Sequence, residues 1–472
     1  MKICIICEGS YPYVTGGVSS WVNMLIKSMP EHEFIIYSIG ALEEMKGIYK
    51  YQLPENLIKV EEVFLDSIYN ISASNGYKQV KIEAYHVELF KKMILGEELN
   101  WIELVKFIRN LNMKNITDIF MSKEFFNMLG EVCKDKYQYM PFNEFFWTIR
   151  SMLLPFIYLS RNPIPEADVY HSVSAGYGGL IGAIGSYEYK KPYLLTEHGI
   201  YAREREEEII KAKWVKGQFK DEWIHFFYGL ANLSYQVADQ VVTLFGVNRH
   251  IEIELGCDPD KIKIIPNGIE VANFKEVRDD WEKDGTFNIG AVVRVVPIKD
   301  IKTMISAFSI VKRKIKNAKL YIMGPTDEDY EYFKECKKLV KDLETQDVVF
   351  TGGVNIKEYI GNMEILLLSS ISEGQPLALL EGMAAKKPFV ATRVGSCEEL
   401  LYGMQGDTEG QAGFVVPIMG VEEMAEAILT LAKDKKECRQ MGINGFNRVS
   451  KYYKMEGFID GYKKIYRELG RK

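Results

Sequence analysis

Long apolar runs are missing from this 472-residue sequence. No stretch approaches the roughly 18 residues that a membrane-crossing helix needs, so no spanning segment is expected. The longest apolar stretches, such as Ile365-Leu366-Leu367-Leu368, have the length of buried strands. A secretory leader is not visible either: the apolar run after Lys2 is short, and Glu8-Gly9 ends it. A basic excess is also missing. Lys and Arg total 59 against 65 Asp and Glu, a net charge of −6, which argues against a nucleic-acid-binding face. That balance still leaves room for the two or three cations of a phosphate site. The seven cysteines are odd in number and scattered, so no disulfide framework is expected. Cys4 and Cys7 form a C-x-x-C, but they lie in an apolar run that reads as a strand. Residues three apart in a strand point to opposite faces, so both thiols read as buried and inert. Low-complexity tracts are absent, as is any internal repeat beyond an alternation of strands and helices. The composition, 47% hydrophobic and 26% charged, is that of a globular chain, and its length calls for two or three domains. A cytoplasmic location is the expectation that follows.

What is present is a rhythm: a short apolar run, a loop, then an amphipathic helix, repeated. It predicts parallel α/β architecture. Strands are expected at Lys2–Cys7, Phe34–Ile39, Val169–Ser172, Tyr193–Leu195, Val241–Leu244 and Ile262–Ile265. A second series is expected at Phe287–Val293, Leu320–Met323, Val348–Phe350, Ile365–Leu368, Phe389–Ala391 and Phe414–Val416. Several are continuous Val/Ile/Leu stretches, as in sheets covered by helices on both faces. Residues from about 42 to 165 break the rhythm and read as a mostly helical insertion. Glu270–Thr286, polar and charged, reads as a linker between two doubly wound domains, 1–272 and 273–454. The helical spacing of Met455, Phe458, Tyr462, Ile465 and Leu469 predicts a final helix over about 455–472, placed to pack back on the first domain. Ligands of open parallel sheets bind beyond the carboxyl ends of the strands. Two such sheets facing each other would line one cleft with those edges.

Four segments at strand ends carry candidate chemistry. In the first, Ile365–Leu368 runs into Ser372-Glu373-Gly374-Gln375-Pro376-Leu377 and a helix containing Glu381. Pro376 suits a helix start, and the amides of a helix N-terminus suit phosphate or sugar oxygens. Glu373 and Glu381 can accept hydrogen bonds from paired hydroxyls, one from a hexose and the other from a ribose. In the second, Arg294 and Lys299 bracket a loop, with Asp300 capping the next helix. An Arg fork and a Lys point charge together can neutralise a diphosphate without a metal. Taken alone, the two could equally be surface cations. In the third, Gly16-Gly17 opens a helix after the first strand, a weak signal on its own. In the fourth, His198 follows Thr196-Glu197 at a strand end and precedes Gly199, while Arg203 and Arg205 read as solvated helix charges.

As an ordered set these segments resemble family 4 of the retaining glycosyltransferases, which have the GT-B fold. Glu373 and Glu381 match its E-x7-E motif, Arg294 and Lys299 its donor-phosphate pair, Pro266-Asn267-Gly268 its turn before the interdomain linker, and Gly16-Gly17 its glycine loop. The resemblance covers nearly the whole chain. Residues 196–205 and the long insertion are similar to the branch of that family serving the Pel exopolysaccharide system. The resemblance implies a UDP-sugar donor, a polysaccharide acceptor of the biofilm matrix, association with inner-membrane Pel components, and recruitment to the inner face of the membrane.

It also implies roles. Arg294 and Lys299 hold the diphosphate, Glu381 the ribose, and Glu373 with the amides of Gly374, Gln375, Pro376 and Leu377 the donor sugar. His198 lies near the reacting sugar, and Gly16 and Gly17 near the phosphates or the acceptor. The implied catalytic set is His198, Arg294, Lys299 and Glu373, with no metal and no cofactor. The family's H-x-H-like segment reads His171-Ser172-Val173 here, so His171 is kept as an acceptor-side possibility. The same donor residues would serve a sugar phosphorylase, a sucrose- or trehalose-forming transferase, or a non-catalytic nucleotide-sugar sensor.

Overall fold

The computed structural model describes residues 1–68, 78–275, 277 and 285–471. The contacts divide into two compact units, one of Met1–Thr243, Asn248–Ile264 and Tyr462–Lys472, the other of Leu244–Val247 and Ile265–Gly461.

The first unit holds a seven-stranded parallel sheet. Its strands are β1 (Lys2–Glu8), β2 (Glu33–Gly40), β3 (Leu57–Phe64), β4 (Val169–Ser172), β5 (Tyr193–Glu197), β6 (Gln240–Thr243) and β7 (Ile262–Ile264), in the order β3-β2-β1-β4-β5-β6-β7. The second unit holds a six-stranded parallel sheet of β8 (Phe287–Val292), β9 (Ala318–Met323), β10 (Val348–Gly352), β11 (Ile365–Leu368), β12 (Phe389–Thr392) and β13 (Gly413–Val416), in the order β10-β9-β8-β11-β12-β13. Both are doubly wound, as expected. The winding reverses between β1 and β4 in one sheet and between β8 and β11 in the other. Those two places are the topological switch points where such sheets open a crevice.

Every strand expected from the sequence is present. One more, β3, falls inside the segment read as a helical insertion. It is an edge strand carrying Lys59, Glu61 and Glu62, with Lys59 Nζ 2.5 Å from Glu61 Oε2. Charges on an edge strand block further pairing, and they also erase the apolar run by which the other strands are legible. The rest of the insertion, where described, is mostly helical, with Ala84–Leu95, Trp101–Asn110, Lys123–Lys136 and Phe142–Arg161 as its α-helices. Its Leu104, Ile108, Phe125, Leu129, Ile149 and Leu153 share one buried cluster with Ile6 and Tyr37 of the sheet, so the insertion is part of the first unit's core. Part of the expected linker, including Asp279-Asp280 and Lys283-Asp284, lies outside the described residues.

All seven cysteines are buried and none forms a disulfide; burial pushes the Cys7 thiol up to about 12. Among the described residues no helix is long and apolar enough to cross a membrane. The final helix, Met455–Leu469, contributes Tyr462 and Tyr466 to the first unit, both without exposed surface.

Candidate functional site

In the second unit the carboxyl ends of β8 and β11 flank the switch point. The chain leaves β8 through Arg294 and a 3-10 turn, Pro297–Lys299; it leaves β11 through Ser369–Gln375. Backbone and hydroxyl groups stitch the two loops together. Ile371 N–H donates to Ile298 O at 2.8 Å, and Ser369 Oγ donates to Lys299 O at 2.8 Å. Asp300 sits in the left-handed region (φ 45°) and accepts the Thr303 N–H at 3.3 Å, ending the turn and starting the helix Ile301–Lys314. The result is a direct ion pair: Lys299 Nζ stands 2.5 Å from Glu373 Oε1, with the side chains 17% and 12% exposed. Ser370 Oγ donates to the same carboxylate oxygen at 2.5 Å.

Two glycines set this geometry. Gly395 (φ 50°) lies so close to the β11 loop that a Cβ there would stand 2.0 Å from Gly374 O. The adjoining Ser396 N–H donates to Gly374 O at 2.9 Å, fixing the loop from behind. Gly324 (φ 158°) presses against β8's exit, where a Cβ would meet Val293 O at 2.0 Å. That contact leads the segment after β9 past Arg294, whose Nη1 pairs with Glu328 Oε2 at 2.7 Å near solvent.

Beyond the loop, Pro376 is the cap of the helix Leu377–Ala384, with Leu377 exposed at its start. Glu381 lies on this helix, and burial raises its carboxyl above the usual range while Lys357 pulls it down. Lys357 Nζ stands 5.8 Å from the centre of the Phe274 ring. Gln375 is buried, and its Oε1 accepts the Asn267 N–H at 2.6 Å, tying the Pro266-Asn267-Gly268 turn to the β11 loop.

The first unit gathers a second group at its own switch point. Glu8 ends β1 and reaches across to the elements after β4 and β5. Its Oε2 accepts Ser174 Oγ at 3.2 Å and the Gly178 N–H at 3.1 Å; its Oε1 accepts Tyr201 O–H at 3.1 Å. His198 follows β5 and packs edge-on against Trp21 of the helix Gly17–Lys27, ring centres 4.7 Å apart. Burial lowers the His198 imidazole to about 4, so the ring is neutral near pH 7. Its Nε2 is shielded from solvent and has no protein partner among the described residues. Under it, Glu197 is buried and accepts the Tyr201 N–H at 3.1 Å and Tyr235 O–H at 2.5 Å, which orients the turn carrying His198. Gly16 and Gly17 are on the same helix start as Trp21. Gly16 is extended, and a Cβ at either glycine would meet nothing within 4 Å, so this loop is open.

The sequence-predicted residues therefore fall in two sets. Arg294, Lys299, Glu373, Gly374, Gln375, Pro376, Leu377 and Glu381 share the switch-point edge of the second sheet; Gly16, Gly17 and His198 share that of the first. Two readings change. His171 has no exposed surface, with Nδ1 2.6 Å from Tyr466 O–H and Nε2 2.8 Å from Thr196 Oγ1; it is a core residue, with no nitrogen left for an acceptor. Arg205 is only partly a solvated helix charge: it pairs with Glu208 Oε2 at 2.6 Å with 36% of its side chain exposed, while its guanidinium lies over the Tyr201 ring at 5.1 Å. Arg294 and Lys299 each face a different carboxylate. Sequence reasoning missed Glu8, Glu328, Ser370 and Gly395. Only Glu8 left a signal, an acid closing an apolar strand before a glycine.

Residues 1–260 match the family model described as Domain of unknown function (DUF3492), and residues 286–434 match that of Glycosyl transferases group 1. The MMP alpha-(1->4)-mannosyltransferase of Mycolicibacterium hassiacum is 25% identical over 270 residues, 54% of this chain and 60% of that enzyme's length. The uncharacterized glycosyltransferase MJ1178 of Methanocaldococcus jannaschii is 25% identical over 307 residues, 64% of this chain and 76% of its own. Among solved structures, Anabaena Alr3699/HepE in complex with UDP superposes with a TM-score of 0.64 at 15% identity, covering 99% of this chain and 100% of that one. The shared fold is GT-B.

Proposed function

Because this chain belongs to the family described as Domain of unknown function (DUF3492) and carries a Glycosyl transferases group 1 domain over residues 286–434, we propose that it is a retaining glycosyltransferase with a UDP-sugar donor. The observation that carries the reading is the Lys299–Glu373 pair at the switch point, with Arg294 on the same β8 exit loop as Lys299. Cations at a strand's carboxyl end beside a hydroxyl-accepting carboxylate suit a sugar diphosphate.

In this reading Arg294 and Lys299 hold the donor's diphosphate, and they count most as negative charge develops on the leaving group. Glu373, held by Lys299 and Ser370, accepts hydrogen bonds from the donor hexose. Glu381 takes the ribose hydroxyls. The bond from the anomeric carbon to the β-phosphate oxygen breaks while the acceptor oxygen approaches from the same face, and the acceptor's proton passes to the departing phosphate oxygen. Configuration is retained through an oxocarbenium-like state. His198 is neutral and so serves as a hydrogen-bonding group toward the reacting sugar. No protein carboxylate attacks the sugar, unlike a retaining glycosidase, and no metal is required. The acceptor is a growing exopolysaccharide of the Pel type, made with inner-membrane partners at the cytoplasmic face.

The test is a thermal-shift panel of UDP, UDP-glucose, UDP-N-acetylglucosamine and UDP-N-acetylgalactosamine on the wild type and Lys299→Ala, followed by donor turnover with and without EDTA. A ligand that binds the folded state at 100 times its Kd stabilises by about 2.7 kcal/mol. No stabilisation by any member of the panel would sink the proposal.

A further inference from the structure

The chain has six tryptophans, and three of them, Trp147, Trp214 and Trp223, line one cavity of ≈360 Å³ in the first unit. Trp147 and Trp214 are 55% and 69% exposed, while Trp223 is 8% exposed and forms the floor. Clustered exposed indoles on a soluble surface mark a binding site more often than chance. These rings are held in place. Trp214 meets Trp223 edge-on at 5.3 Å, and the Arg150 guanidinium lies over Trp147 at 5.2 Å.

Val215 and Phe219 extend the apolar lining, and the rest of the wall is polar. Glu144, Thr148 and Ser151 occupy the same face of the helix Phe142–Arg161 as Trp147, spaced three or four residues apart, with Asn143 beside them. Lys216, from the loop carrying Trp214, closes the rim by pairing with Glu144 Oε2 at 2.9 Å. Indole rings and a row of hydroxyl, amide and carboxylate groups thus line the same cavity.

A pyranose ring has this dual character. Its C–H faces are apolar and stack on indole, while its hydroxyl rim both donates and accepts. A wholly apolar ligand would desolvate Thr148 and Glu144 without return. The volume falls in the range of small-molecule sites. We propose that this cavity binds a pyranose unit of an oligosaccharide, at a site that shares no residue with those of Glu373 and His198. The proposal stands on the cavity's own chemistry and not on the donor assignment.

The experiment titrates the full chain with tetrasaccharides of glucose, N-acetylglucosamine and N-acetylgalactosamine, reading tryptophan fluorescence. Saturable quenching or a blue shift is expected with at least one of them. Trp214→Ala should weaken that response by about tenfold or more, as loss of an aromatic anchor does. Thr148→Val, a milder change on the polar wall, should weaken it several-fold. Both variants should keep the wild-type response to UDP, which separates this site from the donor reading. The proposal is overturned if no tetrasaccharide alters emission up to about 10 mM, where affinities carry little binding energy. It is equally overturned by a response that survives Trp214→Ala and Trp147→Ala. Binding to phosphatidylglycerol vesicles, lost in Trp214→Ala and unaccompanied by any saccharide response, would assign the surface to a membrane instead.

Discussion

Lys299 Nζ and Glu373 Oε1 stand 2.5 Å apart where two neighbouring strands end, with most of both side chains shielded from water. A shielded pair costs stability when only one partner goes, because the other charge is left uncompensated. Lys299→Met should therefore lower the melting temperature more than the double variant Lys299→Met/Glu373→Gln. The coupling energy from denaturant unfolding should be about 1–3 kcal/mol. Donor turnover should be lost in both, since neither restores the cation. Equal stability losses that simply add would show that the pair is not coupled.

Arg294 is paired differently. Glu328, its partner, is exposed, and exposed pairs contribute little stability. The carboxylate occupies an anion's place beside the guanidinium, so a diphosphate must compete with it. Glu328→Gln should tighten UDP binding several-fold by calorimetry, with stability unchanged within about 0.5 kcal/mol. Arg294→Ala should lower kcat/KM by about 3 kcal/mol, the loss typical of a charge-stabilising donor. Weaker UDP binding in Glu328→Gln would mean that Glu328 positions Arg294 rather than opposing its ligand.

The two histidines of the first unit should separate cleanly. His171 is bonded at both nitrogens in the core, and burial holds it down near 3; His198 is shielded, near 4, with Nε2 unbonded to protein. His171→Ala should cost about 2–4 kcal/mol of stability, the range for emptying a packed, hydrogen-bonded site. His198→Ala should cost less stability and more turnover. Since His198 is already neutral, the kcat/KM profile should show no ionisation from it between about pH 5.5 and 8. A limb near pH 6.5 that vanishes in His198→Ala would contradict its burial.

Stability should fall as pH rises from about 6.5 to 8. Glu364 immediately precedes β11, is 6% exposed, and is pushed up to about 8 by burial despite accepting the Asn288 N–H at 2.6 Å. Burial raises Glu197 and Glu252 as well. A carboxyl whose folded pKa is raised binds its proton more tightly when folded. Its stabilising effect is full below the ordinary carboxylate range and is lost as pH climbs through the folded value. The lowered pKa of His171 and His198 acts in the opposite sense, with stability lost only below about pH 6.5. Above that pH the glutamates decide the slope, at most about 1.4 kcal/mol per pH unit for each group. Glu364→Gln should flatten part of it in a melting series.

The sequence by itself determined the two sheets and the loops that matter, because buried parallel strands must be continuous apolar runs and functional loops follow their carboxyl ends. The positions of Arg294, Lys299, Glu373, Glu381 and His198 after strand ends were legible for that reason. Strand β3 was not, since an edge strand is free to carry charge. Which cation meets which carboxylate was decided only by tertiary structure. Lys299 pairs with Glu373 because Ser369 and Ile371 bind one loop to the other, and Arg294 meets Glu328 because Gly324 allows a third segment close to β8's exit. Those partners lie 74 and 34 residues apart in the chain. The same holds for His171, polar in sequence and core in fact, since its partners Thr196 and Tyr466 arrive from a neighbouring strand and from the last helix. Local pattern reports what a residue's own element buries; contacts between distant segments depend on how the sheet order brings those elements together.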